Sequence, residues 1–171
     1  MKTAVQSLFL TFLLSGAAYA EVPIIKTPAP VIHLVDNLGE QDQLGWCLDT
    51  LGRSFAERLQ AHSCKPQGGD VQFFLDAETG LIKSVAFDDY CMVNQPENDT
   101  TFGMVTCDED ADEQRFVFDA TTKEIRPMAS PAQCVVVGSQ GRSAGPFMSR
   151  DLLLAECSVT DASLKQWVIV E

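Results

Sequence analysis

Apolar and polar positions alternate along this chain in short blocks rather than in long helical stripes. β-prone apolar segments occur at Trp46-Cys47-Leu48, at Tyr90-Cys91-Met92-Val93 and at Cys134-Val135-Val136-Val137. Each gives way to a polar or glycine-rich stretch. Second apolar segments follow, as at Phe102 to Thr106 and Leu152 to Ala155. A third set carries an aromatic residue: Val71 to Leu75, Gln114 to Phe118 and Gln166 to Val170. In the first two cases a turn follows, Asp76 to Gly80 and Asp119 to Lys123, and then a fourth segment, Leu81 to Val85 and Glu124 to Arg126. Short strands punctuated by turn residues predict an all-β barrel or sandwich. One helical alternative exists at Ser54 to Ala61, where Phe55, Arg58 and Leu59 are spaced for one or two turns.

The cysteines turn this series into a repeat. Cys47, Cys91 and Cys134 are separated by 44 and 43 residues, and Cys64, Cys107 and Cys157 by 43 and 50. An aromatic residue follows each second cysteine by nine or ten positions: Phe73, Phe116 and Trp167. Self-similarity at such a period indicates one supersecondary unit used three times. Six cysteines leave the pairing open in principle. The repeat places two in each unit and favours 47–64, 91–107 and 134–157. Each such cystine would contribute about 3 kcal/mol by limiting the unfolded chain. The longer third interval is explained by Gly138 to Pro146, which its glycines and serines mark as a loop insertion.

The ends differ from the units. Residues 1–20 combine Lys2, an apolar run from Ala4 to Leu14 and Ala18-Tyr19-Ala20, the pattern of a secretory signal peptide. No later stretch has the apolar length of a membrane span. Residues 21–42 form a proline-rich arm with Pro23, Pro28 and Pro30; within it Val31 to Val35 reads as a possible strand. Export agrees with the even cysteine count, because cystines persist in oxidising compartments. The expected location is secreted or periplasmic. Without the signal peptide, 11 basic residues face 24 acidic ones, a net charge of −13. Such a field disfavours nucleic acid and anionic lipid as partners.

Three units of four short strands, each with an internal cysteine pair and a glutamine near the aromatic, resemble the ricin B-type β-trefoil lectin domain. The resemblance covers residues 43–171. The Gln-x-aromatic element stands in register only at Gln114-Arg115-Phe116; the other units read Val71-Gln72-Phe73 and Lys165-Gln166-Trp167. The family implies a β-trefoil in which Phe73, Phe116 and Trp167 are structural core. It also implies a sugar site contained in one unit. An Asp two residues after the first cysteine accepts from sugar hydroxyls, a ring before the second cysteine stacks on the sugar, and an acid or amide near the Gln-x-aromatic adds a polar contact. A pyranose has one CH-rich face and a rim of hydroxyls, so this chemistry suits it. Unit one supplies Asp49, His62, Asp70 and, one residue out of register, Gln72. Unit two has Val93 and Val105 at the first two places, and unit three has Val136 and Ala155. None of these can accept a hydrogen bond through its side chain, so at most one site is expected.

Other chemistry finds little support. Cys-x-x-Cys is absent and the only histidines are His33 and His62, so no zinc site or other metal is expected. The acidic run Asp108 to Glu113 lacks the glycine and terminal bidentate acid of a calcium loop and reads as a solvated turn. Asn98-Asp99-Thr100 is a glycosylation sequon. No nucleophile-and-base motif occurs, and no cofactor is implied; a non-catalytic protein is expected. Two functions remain open: a glycan-binding or glycoconjugate-binding module working through unit one, and a protein-interaction trefoil that has lost sugar binding.

Overall fold

The computed structural model describes residues 21–51, 55–95 and 101–171. Residues 1–20, expected to be a signal peptide, and the Asn98 sequon lie outside these. Among the described residues fourteen short strands form. Unit one comprises β2 (Trp46–Thr50), β3 (Leu59–Ser63), β4 (Phe73–Leu75) and β5 (Ile82–Ser84). Unit two comprises β6 (Tyr90–Asn94), β7 (Phe102–Thr106), β8 (Phe116–Asp119) and β9 (Glu124–Pro127). Unit three contains β10 (Gln133–Val137), β13 (Leu152–Glu156) and β14 (Trp167–Val170). Of the helical alternative, Leu59 to Ala61 belong to β3, and Ser54 lies outside the described residues. The acidic run forms a turn leading into a single 3₁₀ turn at Asp112–Gln114. A four-residue helix, α1 (Ala162–Lys165), is capped by Asp161, whose carboxylate accepts from the Ser163 amide.

The fourth strand of unit three comes from the arm. Strand β1 (Val31–Leu34) pairs antiparallel with β14 from Val31↔Val170 to Leu34↔Trp167. The β4/β5 and β8/β9 pairs have the same arrangement. Strand β1 also meets β2 through His33↔Cys47, as β5 meets β6 through Lys83↔Cys91. The third unit is therefore completed by chain more than 100 residues upstream of β14, an antiparallel junction between distant segments.

The segment Gly138 to Pro146 is not a plain loop. Residues within and after it form β11 (Arg142–Ala144) and β12 (Phe147–Arg150), paired from Arg142↔Ser149 to Ala144↔Phe147. Gly145 occupies the first loop position with φ +67°, as a tight two-residue hairpin turn with glycine first requires. Strand β12 then pairs with β3 of unit one through Ser149↔His62 and Arg150↔Ala61. The expectation of a loop is corrected here because the open edge of β3 offers backbone partners that the sequence does not display.

Phe73, Phe116 and Trp167 are buried together with Trp46, Ile32, Leu34, Phe102 and Val135 in one core. The Trp167 indole N–H donates to the Val135 carbonyl (2.9 Å), so burial leaves no orphaned donor. The cystines are 47–64, 91–107 and 134–157, with Cα separations of 5.1, 4.9 and 5.2 Å. In each unit the first cysteine lies opposite the residue two before the second: His62, Val105 and Ala155. Among the described residues, no helix is long and apolar enough to cross a membrane.

Candidate functional site

The three units can be superposed residue by residue through their strand registers. Asp49 faces Gln60 across β2 and β3. Val93 faces Gly103 in unit two, and Val136 faces Leu153 in unit three. Only the first of these three pairs carries polar side chains. It lies on a cavity of about 1150 Å³ lined by Asp49, Gln60, His62, Lys65 and Asp70 of unit one and by the β11–β12 hairpin of unit three.

Asp49 forms the floor and is 1% exposed. Its Oδ2 accepts from Gln60 Nε2 at 2.8 Å and its Oδ1 from Lys65 Nζ at 3.2 Å. A carboxylate has about four acceptor sites, and among the described residues two of them are filled. Burial pushes the Asp49 carboxyl up to about 7; Lys65 and Gln60 oppose the rise, and the Asp70 charge adds to it. Lys65 also binds Asp70 Oδ1 at 2.7 Å and so bridges both acids. A cation between two carboxylates limits the repulsion that their proximity creates.

His62 is buried at 6% exposure, on the strand between Gln60 and Cys64. Its Nδ1 donates to the Ser63 carbonyl (2.9 Å), which leaves Nε2 as the acceptor of a neutral ring. Burial lowers its pKa, so the neutral form is favoured. The Phe147 ring lies edge-on to it at 5.7 Å. His62 is thus covered by another ring rather than presented as a free platform. Asp49, His62 and Asp70 all line the cavity, whereas Gln72 does not.

Gln72 has a position in the scaffold. Its Nε2 donates to the carbonyls of Pro28 (3.1 Å) and Ala29 (3.2 Å), just before β1. Gln166, also one residue before its aromatic, donates from Nε2 to the Thr122 carbonyl (3.2 Å), just before β9. Both glutamines secure the chain that leads into a fourth strand of the neighbouring unit. Gln114 instead binds locally, accepting from the Asp108 amide (3.1 Å) and donating to the Thr106 carbonyl (3.2 Å).

The sequence reading did not single out Gln60, Lys65, Arg142, Phe87 or Phe147, all of which line the cavity. Gln60 was legible as the residue two before His62 on the same strand face. The hairpin residues were legible only through the Gly145-Pro146 pair between two short alternating runs. Among the described residues, Glu124 comes close to the 134–157 sulfurs. Those sulfurs form a cystine, and Glu124 is held by Lys165 (2.8 Å) and Arg126, so no thiolate metal centre results.

The trefoil arrangement and the single polar unit accord with a lectin-type scaffold, and the chain belongs to a known family. It matches the ricin-type beta-trefoil lectin domain over residues 38–167. No curated protein matches the chain. Among solved structures it is similar to a non-toxic homologue of type II RIPs from Momordica charantia (bitter gourd) in complex with α-methyl-D-galactoside. That likeness has a TM-score of 0.57 and 14% identity, covering 82% of this chain and 47% of the other. The agglutinin from Abrus precatorius gives a TM-score of 0.53 and 14% identity over 85% of this chain and 48% of its own. This chain thus spans about half the length of those two. Cytolethal distending toxin from Actinobacillus actinomycetemcomitans gives 0.54 and 15% over 82% of this chain and 90% of that one. At these identities the likeness concerns the fold.

Proposed function

We propose that this chain is an exported, non-catalytic lectin-type module that binds a hexopyranoside in the unit-one cavity. The observation that carries the reading is the asymmetry among equivalent positions. Asp49, Gln60, His62, Lys65 and Asp70 line one cavity, while the strand positions that match Asp49, Gln60 and His62 hold valine, glycine, leucine and alanine in the other units. Burying a carboxylate is unfavourable, and its retention at the floor of a cavity suits a ligand rich in hydroxyl donors. The remaining lone pairs of Asp49 accept from hydroxyls, and Lys65 Nζ donates to a sugar oxygen. The galactoside held by the bitter gourd protein supports this ligand class. Three cystines favour an oxidising compartment, periplasmic or extracellular.

A second reading, a protein-interaction trefoil, is favoured by the likeness to a toxin chain over 90% of that chain's length. A glycan array probed with the wild type and Asp49→Ala separates the two. The lectin reading expects binding that Asp49→Ala removes. Silence of the wild type across the array would sink it. Binding that survives Asp49→Ala would move the site elsewhere on a protein that is still a lectin.

A further inference from the structure

The unit-one cavity is not built by unit one alone. Its opposite wall is the β11–β12 hairpin, more than 80 residues away in sequence. This wall is held rigidly. Arg150 lies over the Trp46 ring at 4.6 Å. Its guanidinium donates to the carbonyls of Gly138 (2.9 Å), Ser139 (2.7 Å) and Leu38 (2.8 Å). The Met148 amide donates to Ser63 Oγ (3.0 Å), and that hydroxyl donates to Glu40 (2.7 Å). The hairpin is therefore fixed to both the unit-one strands and the segment before β2. A wall fixed in this way loses little entropy when a ligand docks on it.

Two side chains of the wall bear on recognition. Phe147 is half-buried, lines the cavity and covers His62. Arg142 is 44% exposed, the most open charged side chain among the cavity's ion-paired groups. One guanidinium nitrogen binds Gln60 Oε1 (3.3 Å) and the other Asp151 (2.7 Å). Asp151 is 60% exposed, and an ion pair in that setting contributes little, so an incoming carboxylate can replace it at small expense. The acids on the unit-one side are in a different state. Asp49 is buried beneath Lys65, and Asp70 is bound to the same Lys65. The charge most open to a ligand is thus a forked cation suited to bidentate carboxylate binding.

We propose that the hairpin makes this cavity a composite site for a carboxylate-bearing sugar of the uronate class, with Phe147 as the ring platform and Arg142 as the carboxylate clamp. This rests on the lectin reading above and sharpens it. A hexuronate keeps the ring and hydroxyls of a hexose and places the carboxylate at C6, so one sugar can reach the floor and the clamp together. The Arg142–Gln60–Asp49 hydrogen-bond chain couples clamp to floor.

The test uses the purified full domain, with galacturonate and glucuronate oligosaccharides, their methyl esters and the matching neutral oligosaccharides as probes. Binding by the wild type should be at least about tenfold tighter for the free acids than for the esters. Arg142→Gln should erase that preference, weakening acid binding more than ester binding until the two are equal. Phe147→Ala should weaken acid and ester alike, and Phe147→Tyr should restore both. Equal binding of acid and ester by the wild type would overturn the clamp, as would a preference that survives Arg142→Gln. If Phe147→Ala binds like the wild type while Asp49→Ala does not, the hairpin wall is refuted and the lectin reading stands. Absence of binding to every probe and to a full glycan array refutes both. Circular dichroism and thermal melts of each variant confirm that a loss of binding is not a loss of fold.

Discussion

Units one and two share a backbone plan and differ at the surface that counts. Both pair their first two strands in the same register, both place a cystine at the same corner and both send a phenylalanine into the common core. Where unit one has Asp49, Gln60 and His62, unit two has Val93, Gly103 and Val105. The trefoil is therefore indifferent to these residues as a fold. What unit one gains in polar equipment it pays for locally, through a carboxyl whose burial pushes its pKa to about 7. Unit two has a buried valine, Val93, at the place of Asp49, a residue type that suits a strand.

The largest expected effect lies in the shared part. Truncating a core aromatic should destabilise the domain by about 3–5 kcal/mol whichever unit carries it. Trp167→Ala and Phe116→Ala, followed by denaturant unfolding, check this. An effect confined to one unit would show that the scaffold is not common property.

The next effect belongs to unit one. Lys65→Met leaves Asp49 buried beside Asp70 with no cation, and breaking a buried pair in this way costs about 3 kcal/mol. Adding Asp49→Asn should recover much of the loss. A double-mutant cycle without coupling would mean that the three groups act independently.

Smaller, and graded by pH, is the contribution of Asp49 itself. Its folded pKa is raised, so between about pH 4 and pH 7 the native state holds a proton that the unfolded chain has released. Stability then falls as pH rises through that window, by at most about 1.4 kcal/mol per unit, and levels off above it. His33 and His62 act in the opposite sense, because burial lowers their pKa values and protonation on acidification favours the unfolded chain. The difference between wild type and Asp49→Asn isolates the Asp49 term. It should widen from pH 4 to pH 7 in favour of the variant, and a flat difference curve would contradict the burial argument.

The smallest effect concerns the hairpin. Asp151→Asn removes one partner of an exposed pair and should change stability by under about 1 kcal/mol. A larger change would mean that this pair, rather than Arg150 and its carbonyl partners, fixes the wall.

Much of the unit structure was legible in the chain. The cysteine interval located the three cystines, and the aromatic after each second cysteine located Phe73, Phe116 and Trp167. Strand positions followed from alternation, since period two is a local property. Asp49, His62 and Asp70 came from the family resemblance, by counting from Cys47 and Cys64. The status of His62 was not legible. Its neighbour Phe147 arrives from another unit, and ring contacts across units leave no trace in local spacing. Gln72 looked like a displaced member of a motif, and its partners at Pro28 and Ala29 appear only when the arm folds back.

By itself, then, the sequence determined what depends on near neighbours and on counting: the cysteine interval, the three cystines and the core aromatics. The tertiary structure decided what depends on edges meeting. Strand β1 completes unit three because β14 and β2 each leave a backbone edge to be paired, and β12 joins β3 for the same reason. The β12–β3 junction brings Phe147 against His62 and sets the hairpin as the wall opposite Asp49.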